Sequence, residues 1–346
     1  MNDVGGAINL LDGAQFAAGK NKIINGDFTI NQRAFTSSTI SGTYGFDRWK
    51  QANTGGTVTY SAQTFTAGAA PVAGYEGTNF ARIVTTGQSA AGDLGMLNQR
   101  IESVRTCAGQ TVTISFWAKA ASAGQKIAVE VSQIFGTTGS PSADVNTYFG
   151  QVTLTTSWAR YSVTGAMPSI SGKTITTSDQ LALNLWVSAG TTFNSRTGSL
   201  GIQSGTFDFW GVQMEAAQTA SNFQTATGTL QGELAACQRY YYVAASGNNL
   251  AVGTGANYSA TNAYFTVALP VTMRINTAAL VASTGTDYYA FDRNGAADTL
   301  NSLNLAYIGP NAAILYNNSE ISGTAGQAGT FRTNNASASI ALNAEL

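Results

Sequence analysis

Apolar and polar residues alternate along several stretches of the chain. Within 111–119 every second residue from Val112 to Ala118 is apolar, and threonine, serine and tryptophan lie between them. The same period of two recurs at 127–133 and 181–188. Because successive side chains of a β-strand point to opposite faces of a sheet, this period predicts half-buried strands. We expect further strands at 151–154, 160–163, 207–214, 239–244, 263–271, 280–282, 288–291, 313–316 and 338–342.

The breaks between these segments predict a protein built almost entirely of strands. Glycines and short polar clusters interrupt the chain about every 8 to 12 residues, a spacing typical of β-sandwiches. Helix is expected only in short pieces, within 8–18 and 230–237. No repeat with a period of about 20 to 50 residues is present, which argues against a solenoid or β-helix. The predicted fold is all-β, with two β-sandwich (jelly-roll-like) domains after a short N-terminal arm.

Changes in composition along the chain predict where these parts begin and end. Residues 1–20 hold scattered apolar side chains in a glycine- and alanine-rich context, so this arm cannot form a core of its own and is expected to pack on another surface. Residues 218–232 are polar, small and rich in glycine and threonine, as a linker would be. We therefore expect an arm at 1–20, a first sandwich at 21–224 and a smaller second sandwich at 225–346.

The low charge content of the chain and its lack of histidine exclude some classes of function. Only 10% of the 346 residues are charged, and 17 basic against 18 acidic residues leave a formal net charge of −1. A protein that follows nucleic acid needs clustered lysine and arginine, so no nucleic-acid partner is expected. The chain has no histidine, which removes imidazole from any catalytic or metal-binding role.

Cysteine usage and the hydropathy of the chain indicate the compartment. Two cysteines, Cys107 and Cys237, lie far apart near apolar segments and are expected to be buried free thiols rather than a disulfide framework. The first 20 residues show no basic region followed by an apolar one, so no signal peptide is expected. No stretch reaches the roughly 18 apolar residues of a membrane span. We expect synthesis in the cytoplasm and no membrane insertion.

Two tryptophans on polar strand faces suggest carbohydrate binding. Trp117 and Trp186 both fall on the side opposite the aliphatic residues of their strands, and Lys119, Glu130 and Asn184 share that side. Aromatic rings stack on the apolar faces of sugars, while carboxylate and amide groups bond sugar hydroxyls. If the strands are neighbours, these five residues line one concave sheet face. The alternative is that loops cover this face and bury the tryptophans as a second core.

Catalytic and metal-binding chemistry has little support in the sequence. Glycosidases need two carboxylates facing one cleft, and no spacing here pairs any two of the acidic residues. Ser171-Gly-Lys-Thr174 resembles the end of a phosphate-binding loop, but Met167 stands where that loop needs its first glycine. We expect no enzymatic activity and no cofactor. Asp27 and Asp208 are the candidate carboxylates for a structural Ca²⁺, should the fold hold one.

Several motifs resemble a family of bacteriophage and prophage virion proteins that carry a jelly roll similar to carbohydrate-binding modules. The resemblance extends over roughly residues 20–242. Its motifs are Asn21-Lys-Ile-Ile-Asn-Gly-Asp-Phe28, Asn31-Gln-Arg33, Tyr44-Gly-Phe-Asp-Arg-Trp49, Gln99-Arg-Ile-Glu102, Val112–Lys119, Phe135–Ser142, Gly211-Val-Gln-Met-Glu215, Asn222-Phe223 and Glu233–Tyr241. Leu269-Pro-Val-Thr-Met-Arg274 and the terminal Asn343-Ala-Glu-Leu346 are similar to C-terminal domains of phage tail fibres.

The resemblance implies a role at the surface of a virion. It implies a homotrimer on the tail fibre or capsid exterior that contacts other virion proteins through the N-terminal arm and adsorbs to host surface glycan without enzymatic activity. One alternative is a capsid decoration or head-fibre protein with a mainly structural role, since such a protein needs only a short arm. A second alternative is a polysaccharide depolymerase.

Overall fold

A computed structural model of the protein describes residues 19–72 and 75–346. The predicted arm therefore lies outside the described residues except for its last two, as does the helix expected within 8–18. The chain divides between Glu233 and Leu234 into two compact units, of which the second spans Leu234–Glu345. Both units consist almost entirely of antiparallel strands, so the all-β prediction is confirmed.

The first unit is a sandwich of two antiparallel sheets. One sheet has six strands in the order β1-β3-β4-β11-β6-β9, and the other has five in the order β2-β5-β10-β7-β8. The strands are β1 (Ser37–Ser38), β2 (Trp49–Thr54), β3 (Thr57–Thr64), β4 (Asn79–Thr86), β5 (Leu94–Glu102), β6 (Thr111–Ala120), β7 (Lys126–Ile134), β8 (Val145–Thr153), β9 (Ala159–Ala166), β10 (Gln180–Ala189) and β11 (Gly205–Glu215).

One hydrophobic core fills the space between these two sheets. Its members come from the inward positions of both, such as Ile114 and Phe116 on β6 and Leu183 and Leu185 on β10, all fully buried. The predicted alternation is confirmed for β6, β7 and β10, whose aliphatic positions all face this core. Because the two sheets stack face to face, the remaining side chains of each strand lie on the outer faces, where the candidate residues are found.

The second unit is also built of two antiparallel sheets. A seven-stranded sheet has the order β17-β16-β20-β13-β14-β19-β18, and a three-stranded sheet has the order β12-β21-β15. The strands are β12 (Tyr241–Ser246), β13 (Ala251–Ser259), β14 (Asn262–Ala268), β15 (Ala279–Ala282), β16 (Tyr289–Arg293), β17 (Ala296–Leu300), β18 (Asn304–Ile308), β19 (Ala312–Asn317), β20 (Ala328–Thr333) and β21 (Ser339–Asn343).

The core of the second unit joins its two sheets. Phe265 on β14 stacks on Phe331 of β20 with ring centroids 4.3 Å apart, and Ile340 of the smaller sheet belongs to the same cluster. Each unit thus has its own apolar interior, which is the property that defines a domain.

Helix is confined to short pieces among the described residues. A 3₁₀ turn at Thr191–Phe193 leads into α1 (Asn194–Thr197), and α2 (Leu230–Gln238) matches the helix predicted at 230–237. In the described part of the chain no helix is both long and apolar enough to cross a membrane. Cys107 and Cys237 are both buried and neither forms a disulfide bond, as predicted.

Candidate functional site

The five candidate sugar-binding residues lie on two different sheets. Trp117 and Lys119 belong to β6 of the six-stranded sheet, whereas Glu130 on β7 and both Asn184 and Trp186 on β10 belong to the five-stranded sheet. The condition for a shared face, that these strands be neighbours, is met for β7 and β10 but not for β6, so the five residues do not line one sheet face. Alternation fixes which face of its own sheet a side chain occupies, but it does not fix which sheet the strand joins.

On the five-stranded sheet, Glu130 is the centre of a buried polar cluster. Its carboxylate accepts hydrogen bonds from Asn184 Nδ2 at 2.9 Å and from Trp186 Nε1 at 3.0 Å. The Arg196 guanidinium of α1 donates two further bonds, at 2.6 and 2.9 Å. Glu130 and Trp186 are fully buried. A role for these residues in sugar binding stays a prediction, and their burial argues against it.

The segment that follows β10 explains the burial of Trp186. Phe193 packs on the indole with ring centroids 5.2 Å apart, and Leu200 and Ala128 complete a small apolar cluster around it. Arg196 lies over the indole ring at 5.1 Å. For Trp186 the structure therefore shows the alternative considered above, a second core beneath a covering segment.

Trp117 lies in a different setting, at the surface of the six-stranded sheet. Its half-buried indole packs edge-on against Trp210 at 5.5 Å and against Phe223 at 6.1 Å. The Arg160 guanidinium, on the neighbouring strand β9, lies over the indole at 4.7 Å. Such an arrangement combines aromatic packing with a cation–π contact.

A bulge in β11 makes room for the indole. The register of β11 against β6 shifts between Trp210 and Gln213, and Gly211 there adopts a φ of +62°. A side chain at this position would overlap the Trp117 ring as well as straining the backbone. Glycine therefore both permits the bulge and frees the ring to line a surface cleft.

Trp117 forms one wall of a cleft of about 270 Å³. Tyr75 and Phe223 supply further aromatic surface, and their ring centroids lie 5.6 Å apart. Arg160 and the exposed Asn222 supply polar groups at its rim. We call this the aromatic cleft; it is lined by Val72, Tyr75, Trp117, Arg160, Asn222 and Phe223.

Tyr75 also lines a second, acidic cleft of about 400 Å³. Its phenol donates a hydrogen bond to Asp27 Oδ2 at 2.8 Å. Burial raises the pKa of Tyr75 well above its usual value, and the neighbouring Asp27 charge adds to that rise. The acidic cleft is lined by Asp27, Thr29, Tyr75, Glu76, Thr78, Thr225, Gly228, Thr229, Leu230 and Glu233.

Glu233 has little capacity left for a ligand. Its Oε2 accepts the backbone N–H of Asn25 at 2.8 Å, and its Oε1 accepts the backbone N–H of Thr227 at 2.7 Å and the hydroxyl of Thr227 at 3.0 Å. Burial raises the pKa of Glu233 while these bonds oppose that rise. The carboxylate thus holds the 25–28 turn against the start of α2 and acts as a structural tie.

The two candidate calcium ligands are held by other partners. Asp208 on β11 receives two bonds from Arg82, at 2.6 and 2.9 Å, and lies 3.7 Å from the Lys119 ammonium. With two cations on its carboxylate, Asp208 does not fit a calcium site. Asp27 is bonded to Tyr75 instead. Within the described residues, no group of three or more acidic or cysteine side chains is placed to hold a metal ion.

Most residues of the aromatic cleft escaped prediction from the sequence. Tyr75 lies in a glycine- and alanine-rich loop without alternation, and Phe223 lies within the stretch interpreted as a linker. Arg160 could have been placed on a sheet from the sequence, because it lies on a predicted strand. The structure pairs it directly with Trp117 across the sheet. Only Trp117 was recognised as a candidate from its position alone.

No protein-family model matches the sequence, and comparison with curated proteins gives no match either. Among solved structures, the chain is similar to the enzymatically active domain of tailspike protein 4 from bacteriophage CBA120, with 12% identity and a TM-score of 0.35. That likeness covers 57% of this chain and 22% of the other, so the chain spans less than a quarter of the tailspike domain.

Two carbohydrate-binding modules show similar levels of likeness. The family 11 module from Clostridium thermocellum, in complex with a β-1,3-1,4-mixed-linked tetrasaccharide, shares 12% identity over 54% of this chain and 99% of its own, with a TM-score of 0.31. The TmCBM61 module, in complex with β-1,4-galactotriose, shares 11% identity over 57% of this chain and 99% of its own, with a TM-score of 0.30. At these scores the likenesses carry no inference about ligand or activity.

Proposed function

We propose that the protein is a bacteriophage virion protein that adsorbs to host surface glycan without cleaving it, and that its first unit binds saccharide in the aromatic cleft. The observation that carries this proposal is the meeting of Trp117, Tyr75 and Phe223 around an open cleft with Arg160 and Asn222 at its rim. Ligand sites are concave, lined by aromatic and apolar groups, with a few polar groups that fix orientation.

The chemistry of the aromatic cleft suits a sugar ring. Half-exposed aromatic side chains offer rigid apolar surface to the C–H face of a pyranose. The Asn222 amide is exposed and can both donate to and accept from hydroxyls. The cleft volume of about 270 Å³ is of the size of a single sugar unit, which suits recognition of one residue within a longer chain.

The hydrogen bonds made by the carboxylates of the acidic cleft support binding without hydrolysis. A glycosidase needs two carboxyl groups that both face the glycosidic bond, one to protonate it and one to attack or activate water. Glu233 makes three bonds within the protein, and Asp27 receives the Tyr75 phenol. Of the three carboxylates that line the acidic cleft, Glu76 alone is exposed, so the cleft does not present two exposed carboxylates as an acid–base pair.

The virion role rests on the sequence resemblance over residues 20–242. We propose a homotrimer on the exterior of the tail or capsid, with the N-terminal arm contacting another virion protein and no cofactor required for adsorption. Single saccharide sites bind weakly, so several copies on one particle would raise the overall affinity by avidity.

Glycan-array and host-cell binding of the full-length protein tests the proposal. Trp117→Ala and Asn222→Ala are compared with wild type, and Tyr148→Ala, which removes an exposed aromatic ring from the other sheet, is the matched control. We expect Trp117→Ala to weaken binding at least about tenfold, as loss of a central aromatic anchor does. Asn222→Ala, whose side chain is exposed, should weaken binding without affecting folding.

Three results would overturn the proposal. A folded wild-type protein that binds no array glycan and no host cell would remove the adsorption role. Unchanged binding by both cleft variants would move the site elsewhere. Release of reducing ends from host polysaccharide by the wild-type protein would show that the protein is an enzyme.

A further inference from the structure

The outer face of the seven-stranded sheet in the second unit carries a row of tyrosines. Tyr264 on β14 and Tyr316 on β19 are direct partners across the sheet, with ring centroids 5.8 Å apart. Tyr258, at the end of β13, meets Tyr264 edge-on at 5.6 Å. Tyr258 is 74% exposed, so the row opens to solvent.

Strand alternation puts these rings on the outer face. Phe265 on β14 and Leu315 on β19 are buried in the core of the second unit, so the residues beside them, Tyr264 and Tyr316, must point outward. The position opposite Tyr264 on β13 is Ala256, and the position opposite Ala256 on β20 is Ala328. Small side chains therefore lie next to large rings.

This alternation of large and small residues forms a trough of about 490 Å³ along the tyrosines. Thr254 and Thr266, which also pair across the sheet, contribute hydroxyl groups to the same trough. The trough is lined by Thr254, Gly255, Ala256, Asn257, Tyr258, Tyr264, Thr266 and Ala328, none of which carries a charge.

The chemistry of the tyrosine trough selects its ligand class. An anionic or cationic ligand would meet no countercharge among the lining residues, because their side chains offer aromatic rings, methyl groups, hydroxyls and the neutral Asn257 amide. A purely apolar partner would leave the threonine hydroxyls and tyrosine phenols without bonds, which is costly once they are buried. A neutral oligosaccharide needs no countercharge and can still bond the hydroxyls of the lining. Its apolar ring faces would contact the tyrosines, and its hydroxyls would bond the threonines.

We propose that the tyrosine trough is a second binding site for neutral oligosaccharide. Tyr258 and Tyr264 are the stacking groups, and Thr254 and Thr266 are hydrogen-bonding groups. The site lies in the second unit and shares no residue with the aromatic cleft. Two sites per chain would double the valency of each protomer toward a repetitive host polysaccharide.

An array of neutral oligosaccharides, probed with full-length protein, separates the two sites. Trp117→Ala removes the aromatic cleft, and Tyr258→Ala is then added to it. Because Tyr258 is exposed, its truncation should leave the fold intact. We expect the binding that remains in Trp117→Ala to fall at least about tenfold when Tyr258→Ala is added. Tyr307→Ala, which removes a 69% exposed ring from β18 outside the trough, is the matched control and should change nothing.

The outcomes distinguish this inference from the proposed function. If Trp117→Ala alone abolishes all binding, the tyrosine trough binds no oligosaccharide and the result supports binding in the aromatic cleft alone. If Tyr258→Ala weakens binding while Trp117→Ala does not, the trough stands and the aromatic cleft fails. Residual binding that is unaffected by Tyr258→Ala overturns the inference. Dissociation of the oligomer by Tyr258→Ala, seen by analytical ultracentrifugation, also overturns it, because the trough would then be a subunit interface.

Discussion

Tyr75 is the residue that both clefts share, and its hydroxyl is bonded to the buried Asp27. Removing that hydroxyl leaves Asp27 short of one donor, so Tyr75→Phe should lower the free energy of unfolding by about 1 kcal/mol near neutral pH. The ring itself remains to line the aromatic cleft. Saccharide binding by Tyr75→Phe should therefore change less than binding by Trp117→Ala.

The stability difference between wild type and Tyr75→Phe should depend on pH. Burial, and then the Asp27 charge, raise the pKa of Tyr75 in the folded protein. Above about pH 10 the unfolded tyrosine loses its proton while the folded one keeps it, so wild-type stability falls as pH rises. The advantage over Tyr75→Phe should shrink by up to about 1.4 kcal/mol per pH unit, measured by urea unfolding at pH 8, 10 and 11. A constant difference would contradict the raised pKa.

Glu130 stabilises the fold through four hydrogen bonds in the interior. Glu130→Gln leaves the Arg196 guanidinium without its carboxylate and should cost about 2 kcal/mol, less than for a fully buried pair because the Arg196 side chain is 30% exposed. Arg105→Gln is the control, since that side chain is 60% exposed and 3.7 Å from its partner Asp179. Urea unfolding should show a change within about 0.5 kcal/mol for the control. Equal losses would argue against a structural role specific to Glu130.

At the scale of elements, strands were predictable where one face alone is apolar. The segments predicted at 111–119, 127–133 and 181–188 correspond to β6, β7 and β10, each extended by a residue or two. Between residues 49 and 102 the strands β2 to β5 were not predicted. In β2 and β5, polar inward residues such as Gln51 and Gln99 interrupt the apolar positions, whereas β3 alternates regularly, with Val58 and Tyr60 in the core, and its signal was missed. Local alternation also gives no information on which sheet a strand joins. Trp117 and Trp186 therefore lie on different sheets although their strands show the same alternation.

The turn before Phe28 illustrates a contact between elements that alternation cannot show. The carbonyl of Gly26 accepts the N–H of Val212 at 2.8 Å, which ties this turn to β11. A side chain on Gly26 would overlap the Val212 carbonyl oxygen. The turn therefore packs on β11 at a distance that only glycine permits.

Substitution of Gly26 should therefore destabilise the first unit. We expect Gly26→Ala to lower the free energy of unfolding by about 1 to 3 kcal/mol, the usual cost of overpacking. Gly92→Ala is the matched control, because a side chain there meets no atom within 4 Å. Thermal and urea unfolding of both variants check this. If Gly26→Ala is as stable as Gly92→Ala, the close approach of the turn to β11 is not important for stability.

At the scale of the whole molecule, the sequence predicted two sandwiches but not what each face of them would carry. The aromatic cleft combines β6 and β9 with loops and the segment after β11, which meet only once the sheet has formed. Such a site depends on contacts between residues far apart in the chain. Trp117 was identified because the alternation of its own strand shows which face its side chain occupies. Tyr75 and Phe223 lie in segments without periodicity, so the sequence gives no such indication for them.

The proposed homotrimer makes a prediction about mass and avidity. Sedimentation equilibrium should give three times the chain mass of 35.9 kDa. The apparent affinity for a densely glycan-coated surface should then exceed the affinity for soluble oligosaccharide by about a hundredfold or more. A monomer, or a trimer with equal affinities in both formats, would contradict the multivalent adsorption proposed here.

The five tryptophans allow a direct test of where saccharide binds. Protein labelled with 5-fluorotryptophan gives a ¹⁹F signal for Trp49, Trp117, Trp158, Trp186 and Trp210, and single Trp→Phe variants assign them. On titration with the tightest-binding oligosaccharide from the array, the account predicts that the Trp117 signal shifts in a saturable way while those of the fully buried Trp49 and Trp186 do not. A saturable shift of Trp186 with an unchanged Trp117, or no shift of Trp117 at saturation, would contradict binding in the aromatic cleft.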